Sequence, residues 1–158
     1  MSVTLHGGWQ EPTRDGAIYR FLQCTTAQYM TRSVTSVTRD VTRRELELLF
    51  ERHDFNSFPV LGGGKMIGIV TKFDFLKAFA FTTGQMVPHY DELMRRPVAD
   101  VMSETVVHVE PTTSLTRVLE LMVSRMTRSL PVMSQEGQLV GMISREDVMR
   151  ALREATNE

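Results

Sequence analysis

The chain repeats itself. Met30 recurs as Met102, Val37 as Val109, Leu49-Phe50 as Leu121-Met122 and Phe58-Pro59-Val60 as Leu130-Pro131-Val132, all 72 positions apart. Beyond the Pro-Val pair the spacing becomes 73, which matches Gly68 with Gly141, Thr71 with Ser144 and Asp74 with Asp147. The slip of one falls between residues 61–65 and 133–138, both turn-like, where an inserted residue costs least. Such a repeat implies two copies of one supersecondary unit that bury their apolar faces together. At 158 residues, 42% hydrophobic and 23% charged, the chain can bury a shared core but is too short for a large multidomain enzyme.

The second copy is the clearer. Residues 106–109 form a short β-rich run ended by Pro111, and residues 112–114 offer N-cap side chains for a helix. Leu115, Val118, Leu119, Met122 and Met126 give that helix an apolar face. Residues 130–133 and 139–143 flank Gln135-Glu136-Gly137 and predict a hairpin of buried strands, after which a last helix carries Val148, Met149, Ala151 and Leu152. The first copy predicts a strand over 34–37, a helix over about 42–53 with Leu46, Leu49, Phe50 and His53 on its face, a hairpin over 58–70 and a helix from 71 to about 81. Arg43 stands where the second copy has Leu115. The fold class is therefore α/β, two pseudo-twofold-related β-α-β-β-α motifs packed on each other. The divisions are an N-terminal extension (1–24), motif 1 (25–80), a linker (81–97) and motif 2 (98–155).

The element Gly-apolar-apolar-[Ser/Thr]-x-x-Asp, at 68–74 and 141–147, carries the chemistry. It sets a hydroxyl, a basic side chain and a carboxylate on the first helical turn after a buried strand. The same pattern is a capping box, in which hydroxyl and carboxylate satisfy the free N–H groups of the helix start. A helix N-terminus is also an anion site, and Lys72 or Arg145 adds positive charge for a phosphate. An Asp repels phosphate but can accept from a ribose diol. The combination suits a nucleotide.

On these features, over residues 25 to 155, the chain resembles the tandem cystathionine β-synthase (CBS) domain pair, the Bateman module. The resemblance implies two clefts that bind adenosine compounds, with AMP, ADP, ATP and S-adenosylmethionine as candidate ligands and no cofactor required. Carried onto this sequence, one cleft uses Thr71, Lys72 and Asp74 and the other Ser144, Arg145 and Asp147. Base contacts come from Val34, Thr35, Asn56 and Phe58, or from Thr105, Val106, Arg128 and Leu130, and which base slot serves which ribose site is open. The regulatory subunit of AMP-activated kinase tends to carry His-Arg before the apolar-Pro-Val strand. This chain has Asn56-Ser57 and Arg128-Ser129, which leaves Arg128 the better phosphate candidate.

The remaining signals are structural. Gly62-Gly63-Gly64-Lys65 lacks the following Ser or Thr of a phosphate loop and suits a hairpin tip. His6, His53, His89 and His108 lie too far apart for a local metal motif, and no nucleophile elbow is present, so neither a metal site nor catalytic residues are expected. Eighteen Lys and Arg against 19 Asp and Glu argue against nucleic acid, and no apolar run suits a membrane span or a signal peptide. With Cys24 as the single cysteine, a cytoplasmic setting is expected. The expected function is a non-catalytic sensor, a homodimer through its helical faces, that passes its ligand state to an unidentified effector protein. The alternative is a ligand-free interaction or dimerisation scaffold. The extension, with Ile18, Tyr19, Phe21 and Leu22, and the linker, with Phe79, Gly84, Pro88 and Tyr90, are expected to cover a dimer or partner surface.

Overall fold

The computed structural model describes residues 13–80 and 89–157, so residues 1–12 of the extension and 81–88 of the linker, Gly84 and Pro88 among them, lie outside the described residues. In the first repeat β1 (Val37–Thr38) runs parallel to β2 (Ser57–Gly62), which pairs antiparallel with β3 (Lys65–Thr71). Their register sets Phe58 opposite Val70 and Pro59 opposite Ile69. Helix α3 (Arg43–Arg52) precedes the hairpin and α4 (Lys72–Lys77) follows it. In the second, α6 (Leu115–Arg125) precedes the hairpin of β4 (Ser129–Met133) and β5 (Leu139–Ser144), and α7 (Arg145–Thr156) follows it.

The helix starts follow from their side chains. Thr42 with Glu45, Thr71 with Asp74 and Ser144 with Asp147 all form reciprocal capping boxes, and Ser114 accepts from the Arg117 amide. Each cap contributes about 1 kcal/mol.

Two strands are shorter than predicted. The strand expected over 34–37 is paired only at Val37 and Thr38, and the one expected over 106–109 only through Val109, whose neighbour is Val132. The residues before them, Val34 and Thr35 in one repeat and Val106 and Val107 in the other, are half-buried without strand pairing. Helix α4 stops at Lys77, short of the expected 81. On α6, Leu115, Val118 and Met122 are buried as predicted, but Leu119 is exposed, and Met126 closes the helix in a left-handed conformation (φ 51°), 92% exposed. On α7, Val148 and Ala151 face inward while Met149 and Leu152 face outward.

The segments that lead into each repeat exchange places. Helices α1 (Thr13–Leu22) and α2 (Thr26–Tyr29) precede the first repeat yet pack on the second, where Phe21 and Met30 join Leu115, Leu130, Ile143 and Val148 in one core. The Arg20 guanidinium donates to the Ala155 carbonyl from Nε (3.0 Å) and Nη2 (2.7 Å). Helix α5 (Tyr90–Arg95) and a 3-10 turn (Val98–Asp100) precede the second repeat but serve the first: α5 packs on α3, and Val98, Val101 and Met102 join the core of Leu46, Phe58 and Val70. Matched backbone pairs seal both crossings, Thr31 with Met142 (2.8 and 2.9 Å) and Ser103 with Ile69 (2.8 and 2.9 Å). At the local twofold, Ser57 and Ser129, 72 positions apart, share a hydrogen bond between their hydroxyls (3.0 Å).

Burial of Ala17 and Phe21 ties α1 to the module, while Ile18, Tyr19 and Leu22 remain exposed. Within the linker, Leu93 and Met94 are buried, and the Phe79 ring sits between Phe75 and Tyr90, at 5.5 and 6.3 Å.

Tyr29 fastens α2 to α7 by donating from Oη to Glu154 Oε2 (2.8 Å). That hydrogen bond, followed by partial desolvation and the carboxylate's charge, pushes the phenol from 10.0 up to about 12. A raised folded-state value means that the contact contributes fully below pH 10 and is lost as pH rises through about 12. Tyr29→Phe should therefore remove one late phenolate step from an ultraviolet titration. A parent chain with no step above the ordinary tyrosine range contradicts the assignment. Among the described residues no helix is long and apolar enough to cross a membrane.

Candidate functional site

Two cavities flank the local twofold, and each is built from both repeats. The first, of about 560 Å³, brings Thr71 and Lys72 from the β3–α4 junction against Thr105, Val106, Arg128 and Leu130 of the second repeat. The second, of about 530 Å³, brings Ser144, Arg145 and Asp147 from the β5–α7 junction against Val34 and Thr35 of the first. The crossing of the lead segments produces this arrangement, because it sets residues 31–35 beside β5 and residues 103–107 beside β3. Asn56, Ser57, Lys72, Arg128 and Ser129 line both cavities, since they lie at the starts of β2 and β4 and just past the end of β3, where the repeats meet. Both volumes fall in the usual range for small-molecule pockets, roughly 300–1,000 Å³.

Two of the expected site residues are placed elsewhere. Phe58 is fully buried in the first core, its ring 4.9 Å from that of Phe50 and 5.9 Å from that of Phe55, and it reaches neither cavity. Asp74 also lines neither cavity. Its Oδ2 accepts from the Thr71 amide (2.9 Å), Oδ1 holds Lys77 Nζ at 2.8 Å, and the side chain is buried beneath the turn. Asp147 makes the matching cap: Oδ2 accepts from the Ser144 amide and hydroxyl (2.9 Å each), and Oδ1 lies 3.3 Å from Arg150 Nη1. It nonetheless lines the second cavity. Both carboxylates are therefore turned onto their own main chain while the hollows beside them stay open.

Several lining residues lie outside the set expected from the repeated element and the resemblance. Phe73, Leu76, Arg125 and Met126 line the first cavity; Asp54, Phe55 and Glu146 line the second. Phe73 and Glu146 fill the same variable position of the repeated element, so the element itself pointed to them. Exposed Phe73, Leu76 and Met126 form an apolar lip suited to an aromatic base. The cavities also differ in charge. Lys72, Arg125 and Arg128 are the charged residues of the first, whereas the second sets Lys72, Arg128 and Arg145 against Asp54, Glu146 and Asp147.

The CBS domain profile matches twice, at residues 27–81 and 98–154. The chain belongs to the CBS domain family. This CBS pair is 30% identical to the CBS domain-containing protein YhcV of Bacillus subtilis, over 82% of this chain and 84% of that one. It is 32% identical to the uncharacterized protein MJ0188 of Methanocaldococcus jannaschii over 82% of its own length, but spans only 44% of that relative. Among solved structures, the CBS pair superposes on CBSX2 in complex with AMP with a TM-score of 0.68 at 25% identity, covering 82% of this chain and 96% of that one. The mixed α/β architecture is that of a Bateman module.

Proposed function

We propose that this CBS pair is a regulatory module that takes an adenosine compound in one or both of its cavities and passes its ligand state to a partner protein. The observation that carries the reading is that each open cavity draws its walls from both repeats. A ligand bridging the two favours one relative arrangement of the repeats over others, and it shifts that equilibrium by its differential affinity. The AMP complex of the similar CBSX2 supports AMP as the first compound to test. ADP, ATP and S-adenosylmethionine follow. In this reading Arg128, with Lys72, holds phosphate, and Val106 with the Phe73 lip holds the base. The module performs no reaction, pairs with a second copy through exposed apolar helix residues such as Val123 and Met149, and works in the cytoplasm.

A thermal-shift measurement tests it. AMP at a hundred times its dissociation constant adds about 2.7 kcal/mol to the folded state. For a chain of this length that raises the melting temperature by roughly 5–10 °C. No shift with any of the four compounds at millimolar concentration refutes the reading.

A specific observation favours a second reading. Both repeat carboxylates already satisfy helix starts, so the repeated element explains itself without a ligand. A ligand-free scaffold predicts no shift, together with a loss of about 1 kcal/mol for each cap removed.

A further inference from the structure

Lys72 and Arg128 belong to both cavities at once. Arg128 is exposed and long, and its Nη1 reaches Asn56 Oδ1 across the local twofold at 3.4 Å. The Lys72 ammonium lies 5.9 Å from the centre of the Phe50 ring. Neither cation has a salt-bridge partner among the described residues, so both are available to an anion on either side. The remaining charges are divided unequally. Away from the shared pair, the first cavity adds Arg125 and no carboxylate, while the second adds Arg145 but also Asp54, Glu146 and Asp147.

From this we infer that the two cavities are antagonistically coupled for anionic ligands through Lys72 and Arg128. A phosphate entering the first cavity draws both shared cations toward itself. The second is then left with Arg145 as its own cation against Asp54, Glu146 and Asp147, the last already paired with Arg150, and this excess of carboxylate opposes another phosphate and leaves a neutral nucleoside indifferent. Phosphorylated compounds thereby favour the first cavity and enter the second more weakly, while adenosine compounds without net negative charge enter the second unopposed. The inference rests on the adenosine-binding reading above and adds to it which class of ligand each cavity takes.

Isothermal titration of the full chain tests the coupling, with AMP as the anionic probe and adenosine as the neutral one. AMP should bind in two steps, the second weaker by roughly tenfold or more, within the span usual for coupled sites. Adenosine should show no such separation. Glu146→Gln, which touches only the second cavity, should tighten the second AMP step and leave the first in place. Arg125→Ala, which touches only the first, should weaken the first. Arg128→Ala should weaken the first step and narrow the gap, while a purely structural role for Arg128 would lower the melting temperature and leave the ratio of the steps unchanged. Two AMP steps of equal affinity, or a ratio indifferent to both Arg128→Ala and Glu146→Gln, overturn the coupling and leave adenosine binding standing. Absence of binding by both probes overturns the adenosine reading itself, and the coupling with it.

Discussion

Gly141→Ala should unfold at a markedly lower urea concentration than the parent chain, with about 3 kcal/mol of stability lost, and Gly68→Ala should match it. Both glycines open the repeated element, and both stand where an exchanged segment crosses the sheet. A Cβ on Gly141 would lie 2.9 Å from the Thr31 carbonyl oxygen and 2.9 Å from Met30 Sδ. On Gly68 it would lie 2.7 Å from the Ser103 carbonyl oxygen and 3.1 Å from Met102 Sδ. The methionines can swing away, but the carbonyls cannot. Each belongs to a residue that exchanges two backbone hydrogen bonds with the strand, and retreat of that backbone forfeits them at about 1 kcal/mol apiece. Compression of the surrounding core adds a further cost of about 1–3 kcal/mol. The midpoint in urea should fall while the slope stays constant, which marks a change in stability rather than in the unfolded state. A loss below about 1 kcal/mol in both variants would show that the crossings yield easily. These glycines are thus explained by the crossing rather than by a phosphate.

The same crossing marks the limit of what the sequence discloses. Pro59-Val60 and Pro131-Val132 with their flanking turns announce both hairpins, and Thr71, Ser144 and Thr42 announce helix starts, because these signals are local. The crossing is not local: Thr31 meets Met142, and Ser103 meets Ile69, through isolated bridges that impose no periodicity on the chain. That Thr71 shares a cavity with Thr105, and Ser144 with Val34, follows from that crossing and from no local pattern in the chain. Phe58 lies in the core and lines neither cavity, and the sequence does not show it for a related reason. Residues 57–60 are buried on both faces of β2, so alternation does not tell core from cavity. Asp74 and Asp147 were legible as caps, and the repeat made them look equivalent. The difference between them comes from what each is packed against.

A second substitution tests whether the repeat is as symmetric in energy as in shape. Arg43→Leu should raise stability by about 1–4 kcal/mol. Arg43 occupies the position that Leu115 fills in the second repeat, and it is just as enclosed, at 4% exposure against 0%. Its Nε and Nη1 are buried without a hydrogen-bond partner among the described residues. Burial pulls the guanidinium's pKa below its ordinary value, nearby Arg96 pulls it further, and Asp100 opposes both. A buried polar group left unpaired costs about 1–3 kcal/mol, and more when it is charged. Leucine removes that cost, restores the apolar contact made by its counterpart, and leaves Asp100 in water, where a lone carboxylate costs little. Thermal unfolding should therefore shift upward by roughly 2–4 °C for each kcal/mol gained. Arg43→Ala separates charge removal from packing: it also relieves the unpaired guanidinium but leaves a void, so it should fall below Arg43→Leu. If Arg43→Leu instead destabilises the fold, the guanidinium contributes more by attraction to Asp100 than its burial costs, and the departure from Leu115 is itself stabilising.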